Sequence, residues 1–219
     1  MRGAVVVVSR VRGARRESGE ALIARAVDDP HAKDTVAQQI LDAALFRFTQ
    51  FGLRRSTIDD VATQAGLSRI TVYRRFSTKS TLIEACLLRE CGRFLAELDR
   101  AVSDLPTMED RVVEGFVVAM SHARTHPLIG GLLRLEPETM LPFLTVQGGP
   151  ALAALRGYLA DHLRRAQGTE QGEDPEIVAE LMVRIAVSFL LNPQSCVELD
   201  DADQARAFAR RCLAPLAAR

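Results

Sequence analysis

Residues 52–79, GLRRSTIDDVATQAGLSRITVYRRFSTK, carry the start signals of two short helices. Thr57 is suited to cap a helix, because its hydroxyl can accept from the backbone N–H groups that have no partner in the first turn. Asp60 follows three residues later and completes the spacing of a capping box. The pattern therefore predicts a helix over 58–64.

A second helix is predicted over 69–75, with Ser68 as its cap. Gly66 stands between the two helices, where a sharp turn needs the left-handed conformation that glycine adopts most easily. A small apolar set can pack the two helices against each other at a steep angle. Its members are Ile58, Val61, Ala62, Leu67 and Val72. The stretch is therefore predicted to form a helix-turn-helix.

The face that this packing leaves outward is basic and carries hydroxyl groups and one aromatic ring. It consists of Arg69, Ile70, Thr71, Tyr73, Arg74 and Lys79. Residues 54–79 contain six basic and two acidic side chains, a concentration of positive charge that is typical of surfaces that neutralise DNA phosphates. The pattern favours a DNA-binding surface.

The charge of the whole chain hides a strong asymmetry. The 219 residues hold 28 basic and 28 acidic side chains, which alone argues against nucleic-acid binding. Residues 1–80, however, carry 14 Lys and Arg against 8 Asp and Glu, whereas residues 81–219 carry 14 against 20. We expect the acidic part to point away from the duplex.

The composition, 47% hydrophobic and 5% aromatic, is that of a globular chain with room for one or two domains. Alanine, leucine and arginine dominate and alternating β-branched runs are scarce, which favours an all-α fold. No apolar run approaches the roughly 20 residues of a membrane-spanning helix, and Val5–Val8 is too short for the core of a signal peptide. A cytoplasmic protein is predicted.

Helical periodicity continues on both sides of the helix-turn-helix. A helix over 34–51, ended by Gly52, supplies the wall on which the two short helices pack. A long helix begins after Thr78, and five further helices follow it. The predicted domains are a basic extension at 1–32, a DNA-binding domain at 33–79 and an effector-binding and dimerisation domain at 80–219. The extension is interpreted either as a flexible tail or as an arginine arm that reaches a minor groove.

The chain lacks the motifs of common enzymes and metal sites. It has no G-x-G-x-x-G, Walker, G-x-S-x-G or H-E-x-x-H pattern, and no catalytic pair of carboxylates. His122 and His126 are spaced like a metal pair, but no third ligand follows, and His126 also suits the helix end before Pro127. No enzyme activity, cofactor or metal is predicted.

The four cysteines of the chain lack the spacing of zinc or redox motifs. They are Cys86, Cys91, Cys196 and Cys212. The favoured interpretation is reduced thiols that serve as small apolar side chains, and the alternative is redox sensing by a regulator.

The residues quoted above resemble those of the TetR family of bacterial transcriptional repressors. The pattern consists of Phe51-Gly52, Thr57-Ile58-Asp59-Asp60-Val61-Ala62, Ala65-Gly66-Leu67-Ser68, Thr71-Val72-Tyr73-Arg74-Arg75-Phe76, Lys79 and Leu82. It lies within residues 34–83, and beyond them only the number and order of helices match. The resemblance implies a three-helix DNA-binding domain and a helical domain that binds a small effector and dimerises through its last two helices, here 176–191 and 202–216.

The resemblance also implies roles for individual residues. Thr57 and Lys79 match positions that meet phosphates, Arg69 is placed for a bidentate contact with guanine, and Ile70 for a thymine methyl group. Ile70 departs from the family pattern, in which glycine is common at this position. The predicted DNA-binding set is Thr57, Ser68, Arg69, Ile70, Thr71, Tyr73, Arg74 and Lys79.

Some residues near the motif have a second interpretation. Tyr73 could be a core residue whose hydroxyl alone reaches the surface. Arg75 is predicted to be solvated or paired with an acid rather than to read bases. Arg54 and Arg55 either contribute to the DNA surface or only end the first helix.

Five apolar or adaptable side chains on the later helices are candidates for an effector pocket. They are Phe116, Met120, Phe143, Tyr158 and Met182. A packed core without a pocket explains the same residues equally well. Since few charged residues are expected inside this domain, an apolar or amphipathic effector is favoured.

The predicted function is that of a ligand-responsive, DNA-binding transcriptional regulator, most simply a repressor. A homodimer would place two recognition helices about 34 Å apart in successive major grooves of a palindromic operator. Effector binding is expected to change this spacing through the long fourth helix. The alternative is a helical protein-interaction module without sequence-specific DNA binding.

Overall fold

Every regular element in the described residues is helical, which confirms the predicted all-α fold. This computed structural model describes residues 34–146, 148–167 and 174–217. The predicted basic extension at 1–32, with its arginine cluster, lies outside these ranges.

The first three helices form the predicted helix-turn-helix and its supporting wall. They are α1 (Thr35–Phe51), α2 (Ile58–Ala65) and α3 (Arg69–Arg75). They begin at Asp34, Thr57 and Ser68, whose side chains accept from backbone N–H groups of the first turn. The predicted capping box is confirmed, because Thr57 Oγ1 accepts from Asp60 N at 3.1 Å and Asp60 Oδ2 accepts from Thr57 N at 2.8 Å.

Two glycines with positive φ end α1 and α2. Gly66 has φ 64° and ψ 29°, the left-handed conformation that the turn was expected to need. Gly52 ends α1 as predicted, but its φ of 84° and ψ of 162° fall in a region that is essentially restricted to glycine. The carboxylate of Glu136 lies against Gly52, where a Cβ atom would overlap it.

A long helix leads from the helix-turn-helix into the rest of the chain. This helix, α4 (Lys79–Val102), begins at a second capping box formed by Thr78 and Thr81. It packs against α5 (Met108–Thr125). A π-helical turn at Pro127–Gly131 follows, and then come α6 (Leu132–Leu135) and α7 (Pro137–Leu144).

Four further helices complete the described chain. They are α8 (Gly149–Gln167), α9 (Pro175–Leu191), α10 (Ala202–Cys212) and α11 (Ala214–Ala217). The prediction of a single last helix over 202–216 is wrong, because the helix is interrupted at Leu213. Pro215 explains the break, since it has no N–H to donate and its ring clashes with the carbonyl of Arg211 four residues earlier.

Apolar side chains from α1 to α4 form one core, to which a later part of the chain contributes. Leu128 of the π-helical turn, Leu132 of α6 and Met140 of α7 are buried in this core. We call residues 127–144 the bridging segment. It is packed directly against the DNA-binding helices, although it lies far from them in the sequence.

A second core is formed by α5 and α8 to α11. Its buried residues include Phe116, Met120, Leu163 and Met182. A smaller cluster, built by Leu95 of α4 with Ala154 and Tyr158 of α8, joins the two parts. The domain boundary predicted at 79–80 stays a prediction.

Candidate functional site

The outer face of α3 exposes most of the predicted DNA contacts. Val72 is fully buried and holds α3 against the core. Ile70 is 73% exposed, which is unusual for an apolar side chain and leaves it available for contact. The recognition face comprises the exposed Arg69, Ile70, Tyr73 and Arg74 and the half-buried Thr71 and Lys79. The aromatic ring of Tyr73 therefore lies at the surface rather than in the core.

Arg69 is held in place by two neighbours on the same surface. Its Nε lies 3.0 Å from Oδ1 of Asp59, and its Nη2 donates to the hydroxyl of Tyr73 at 3.5 Å. The hydrogen bond to Tyr73 and the charge of Asp59 raise the pKa of Arg69. The sequence carries no signal for the contact with Asp59, which orients the guanidinium at the start of α3.

The hydroxyl groups at the helix starts are engaged locally. Ser68 Oγ accepts from the backbone N–H of Thr71 at 3.2 Å and lies 2.8 Å from Thr71 Oγ1. Thr57 Oγ1 donates to Asp60 Oδ2 at 2.7 Å, and these hydrogen bonds lower the pKa of Asp60. Thr57 and Ser68 therefore present capped helix starts, at which backbone N–H groups favour anions.

Arg75 is paired with an acid, as the sequence predicted. Its Nε donates to Oδ2 of Asp34 at 2.8 Å, and this contact lowers the pKa of Asp34. Asp34 is also the cap of α1. Arg75 therefore ties the end of α3 to the start of α1 and does not belong to the recognition face.

The loop between α1 and α2 is bonded to the bridging segment. The backbone N–H of Arg54 donates to Oε2 of Glu136 at 3.0 Å, and the Arg54 Nη1 donates to Oε1 of Glu138 at 2.9 Å. Gly52 brings the loop close enough for this contact. Arg54 thus has a role in tertiary structure that neither of its predicted interpretations included.

A large apolar cavity of about 750 Å³ lies among α4, α5, the bridging segment, α8 and α9. All five predicted effector residues line it: Phe116, Met120, Phe143, Tyr158 and Met182. Phe116, Met120 and Met182 also belong to the second core, so they form both part of a packed core and part of the wall of the cavity. Their binding of an effector stays a prediction.

Most polar side chains that line the cavity have partners. The Tyr158 hydroxyl donates to Oδ1 of Asp99 at 3.2 Å, and the His162 Nε2 lies 3.3 Å from the same oxygen. The His162 Nδ1 lies 3.1 Å from the backbone oxygen of Tyr158. Burial is the main cause that raises the pKa of Tyr158, so its hydroxyl stays protonated. Arg111 donates to the backbone oxygens of Leu105 and Ser103 at 2.8 and 3.3 Å.

His122 also lines the cavity, and one of its ring nitrogens has no partner. Its Nδ1 lies 3.2 Å from Oε2 of Glu97, whereas its Nε2 is buried without a hydrogen bond to any described residue. Burial and the neighbouring His126 lower the pKa of His122, against the opposite effect of Glu97. The net shift favours the neutral form of the ring.

Two adjacent charged residues of α4 are buried, which the helical pattern did not predict. The Arg89 Nε donates to Oε1 of Glu90 at 3.2 Å, and the Glu90 carboxylate also lies 2.8 Å from Arg93 Nη1 and 3.3 Å from His126 Nε2. Burial alone would raise the pKa of Glu90, but the hydrogen bond with His126 and the charges of Arg93 and Arg89 lower it. Arg89 reaches α1 through Oδ1 of Asp42 at 2.9 Å.

His122 and His126 stack with ring centroids 4.9 Å apart, and each contacts a glutamate. Across the described ranges, no three His, Cys, Asp or Glu side chains are grouped closely enough to hold a metal ion. The four cysteines are free thiols, and burial raises the pKa of Cys86 to about 12 and that of Cys91 to about 11. Both thiols therefore stay protonated.

None of the helices in the described ranges is long and apolar enough to cross a membrane.

Two family models match the two parts of the chain. One, described as bacterial regulatory proteins of the tetR family, matches residues 40–86. The other, described as the C-terminal domain of the bacterial tetracyclin repressor, matches residues 108–211. The first match contains the helix-turn-helix, and the second contains most of the helices around the cavity.

Several individual proteins are also similar to this chain over most of its length. The HTH-type transcriptional regulator AlkX of Mycobacterium tuberculosis is 24% identical over 152 residues, which are 68% of this chain and 72% of AlkX. The crystal structure of the TetR family repressor AlkX from Dietzia sp., implicated in biodegradation of n-alkanes, is 24% identical with a TM-score of 0.65 and covers 83% of this chain and 95% of its own. The structure of SmeT in its complex with triclosan is 24% identical, with a TM-score of 0.53. The match covers 82% of this chain and 90% of the SmeT chain.

The family models match the helix-turn-helix and the later helical region in the order in which the structure contains them. The relatives share this architecture over most of their length. The chain therefore belongs to the TetR family of bacterial transcriptional regulators, with a helix-turn-helix DNA-binding domain.

Proposed function

We propose that this regulator is a cytoplasmic repressor that binds a palindromic operator as a homodimer and is released by a small apolar or amphipathic effector. The observation that carries the proposal is that the cavity and the DNA-binding helices share two elements. α4 begins at Lys79 on the recognition face and lines the cavity from Thr81 to Val102. The bridging segment lines the cavity at Phe143 and packs into the core of α1 to α4 at Met140.

The recognition face supports the DNA-binding part of the proposal. Arg69 is expected to exchange its ion pair with Asp59 for a bidentate contact with guanine, because both partners are exposed and a surface ion pair contributes little. Ile70 is expected to meet a thymine methyl group, and the hydroxyls of Thr71 and Tyr73 to meet phosphate oxygens.

Replacing Arg69 by alanine and Tyr73 by phenylalanine together is expected to weaken specific operator binding by about a hundredfold. The change removes one bidentate base contact and one hydroxyl, which are together worth about 3 kcal/mol. Since both side chains are exposed, the thermal midpoint of unfolding should stay unchanged. A gel shift on the promoter fragment of the regulator's own gene, with random duplex as competitor, measures the effect.

Arg100→Ala is the matched control for this experiment, because Arg100 is an exposed arginine of α4 that lies near the end of the helix opposite to the recognition face. The control should bind the fragment like the wild type. Unchanged specific binding by the Arg69→Ala/Tyr73→Phe protein would contradict the assignment of α3 as the recognition helix. Equal binding of the wild type to the promoter fragment and to random duplex would favour the interaction module instead.

The bridging segment provides a direct route from the cavity to the DNA-binding helices. Phe143 borders the cavity, while Glu136 and Glu138 of the same segment bond to Arg54 in the loop before α2. An effector that displaces Phe143 is expected to move this loop together with α2 and α3. A displacement of a few ångströms in each subunit misplaces the second recognition helix on its half-site. The route adds to the one along α4.

The lining of the cavity supports an apolar or amphipathic effector. Apolar side chains from five structural elements border it, and the buried polar groups are few. The AlkX relative from Dietzia sp. is implicated in biodegradation of n-alkanes, and SmeT forms a complex with triclosan. We infer an effector of the same general kind, a small molecule with a large apolar part.

Exposed apolar residues on α9 support dimerisation through the later helices. Ile177 and Leu181 are 56% and 47% exposed and lie one turn apart on the same face of α9. The outward residues of α10 are mostly polar, among them Gln204 and Arg211. We infer that α9 forms the apolar centre of the dimer interface and α10 its polar rim.

Replacing Ile177 and Leu181 by aspartate is expected to weaken the dimer by at least about a hundredfold, because apolar residues at the centre of an interface contribute most of its binding energy. Sedimentation equilibrium at micromolar concentration should then show a monomer. Leu135→Asp is the matched control, since Leu135 is 74% exposed on α6, away from α9. A dimer that persists in the Ile177→Asp/Leu181→Asp protein would rule out this interface.

A further inference from the structure

We propose that His122 is the polar anchor of the cavity, and that the effector is an elongated alkyl molecule with a hydroxyl group, such as a long-chain alcohol. This inference rests on the proposed function, because it names the chemical class of the effector in the same cavity. Three features support it: the hydrogen bonding of the His122 ring, the engagement of the other polar side chains, and the shape of the cavity.

The His122 ring offers a buried acceptor. Its Nδ1 faces a carboxylate oxygen of Glu97 at 3.2 Å, so Nδ1 carries the proton and donates. Nε2, at the far end of the ring, is then a lone-pair acceptor, and it is buried without a partner among the described residues. A buried acceptor without a donor is unfavourable. A ligand that donates a hydrogen bond to Nε2 removes this penalty.

The neutral state of His122 decides which headgroup fits. Burial and the electrostatic effect of the neighbouring His126 lower the pKa of His122, although the carboxylates of Glu97 and Glu90 oppose them. The lone pair on Nε2 accepts from a hydroxyl group but repels a carboxylate oxygen. A carboxylate bound at Nε2 would also lie about 16 Å along α5 from Arg111 of the lining, too far to pair its charge with that cation. The geometry therefore favours an alcohol over a carboxylate.

The other polar side chains of the lining are already engaged. Tyr158, His162 and Arg111 have the partners described above. The Glu84 carboxylate accepts from Ser80 Oγ at 3.2 Å. Among the polar residues of the described lining, His122 is thus the one with an unengaged buried ring nitrogen.

The cavity extends along most of α4. Its lining on α4 follows one stripe of the helix from Thr81 to Val102, a distance of about 30 Å at the rise of an α-helix. This length suits an elongated alkyl chain better than a compact ligand.

His122 lies in the half of the cavity that is remote from the recognition face. It contacts Phe94, with ring centroids 4.7 Å apart, and Glu97 on the later turns of α4. From the level of Phe94, an alkyl chain can extend about 20 Å along α4 to Thr81. Thr81 is two residues from Lys79, so the chain would fill the cavity toward the DNA-binding helices.

The experiment compares two ligands that differ in the donor. Dodecanol and its methyl ether share the same dodecyl chain, but in the ether a methyl group replaces the hydroxyl hydrogen, so the ether cannot donate a hydrogen bond. Affinities are measured by displacement of the fluorescent dye N-phenylnaphthylamine, which the absence of tryptophan from the chain makes convenient. The wild type should bind dodecanol about tenfold more tightly than the ether, and His122→Phe should reduce this ratio to about one. Dodecanoate should bind the wild type more weakly than dodecanol.

Two further variants make the test specific. His162→Phe removes a cavity-lining histidine whose two ring nitrogens are engaged, so the alcohol-to-ether ratio should persist even if both affinities shift. Glu97 is exposed, so Glu97→Ala should leave the protein folded. It should lower the alcohol-to-ether ratio, because the proton of the His122 ring is no longer fixed on Nδ1. Thermal midpoints establish that each variant is folded.

The outcomes separate this inference from the proposed function. Displacement of the dye by both ligands with equal affinity in the wild type, or an unchanged ratio in His122→Phe, overturns the role of His122 and leaves an apolar effector intact. If neither ligand nor the dye binds to the wild type, both the role of His122 and the proposed apolar effector are contradicted.

Discussion

Replacing Glu90 by glutamine is expected to lower the free energy of unfolding by about 3 kcal/mol, because breaking a buried ion pair leaves its partner charge uncompensated. The Glu90 and Arg89 side chains are each only 5% exposed and lie 3.2 Å apart. Glu90 also accepts from Arg93 and contacts His126. Glutamine keeps the shape of the side chain but removes the charge that these groups share.

The measurement is urea unfolding at a fixed chain concentration, since dimerisation affects apparent stability. Glu138→Gln is the matched control, because Glu138 forms an exposed pair with Arg54 and should cost less than about 1 kcal/mol. Joint replacement, Arg89→Met with Glu90→Leu, should recover much of the lost stability, since no buried charge is left unpaired. Equal effects of Glu90→Gln and Glu138→Gln would show that the buried cluster has no special importance.

The pH dependence of this effect has a defined sign. The hydrogen bond with His126 and the charges of Arg93 and Arg89 lower the pKa of Glu90 in the folded state below its unfolded value. The stabilisation is therefore present above the unfolded-state pKa and is lost as the pH falls through the folded-state pKa. The difference in stability between the wild type and Glu90→Gln should shrink as the pH is lowered through this window.

The helix-turn-helix could be predicted because its signals are local. Thr57 and Asp60 are three residues apart, and Gly66 is needed by the turn that it occupies. Such cap and turn preferences depend on the backbone near the residue and hardly on the rest of the fold. The interruption between α10 and α11 has an equally local cause in Pro215. The prediction missed it because the apolar periodicity continues through this part of the chain.

The cavity could be predicted only in part. The five candidate residues lie at apolar positions of helices, and the same periodicity describes a packed core and the wall of a cavity. Only the placement of α4 relative to α5 and α8 decides between the two. The polar anchor at His122 was hidden for the same reason, since its contact with Glu97 joins two different helices.

Contacts between distant parts of the chain left no sequence signal. Arg54 and Glu136 are 82 residues apart, and neither has a neighbour that indicates the pairing. Arg89 and Glu90 look like solvent-facing charges in the sequence, and they are buried because α1 and the end of α5 close over them with Asp42 and His126. Such pairs depend on how helices pack and not on helix propensity.

Replacing Gly52 by alanine is expected to lower the free energy of unfolding by about 3 kcal/mol, about three times the cost of the same change at Gly66. Gly52 has φ 84° and ψ 162°, a region that side chains hardly tolerate, whereas Gly66 is left-handed, with open space around its Cα. A Cβ atom at Gly52 also displaces the Glu136 carboxylate, so the bond to the Arg54 backbone is lost.

A double-mutant cycle separates backbone strain from the lost contact. Glu136→Ala removes the carboxylate without changing the backbone at Gly52. The losses in free energy of unfolding caused by Glu136→Ala alone and by Gly52→Ala alone should therefore sum to more than the loss in the double variant. The shortfall, about 1 kcal/mol, measures the bond between the loop and the bridging segment. Because that bond lies on the proposed route from the cavity, Glu136→Ala should also reduce the release of DNA by effector while operator affinity stays within about threefold. If the two losses in stability are fully additive and the effector releases DNA from the Glu136→Ala protein normally, Glu136 is not part of that route.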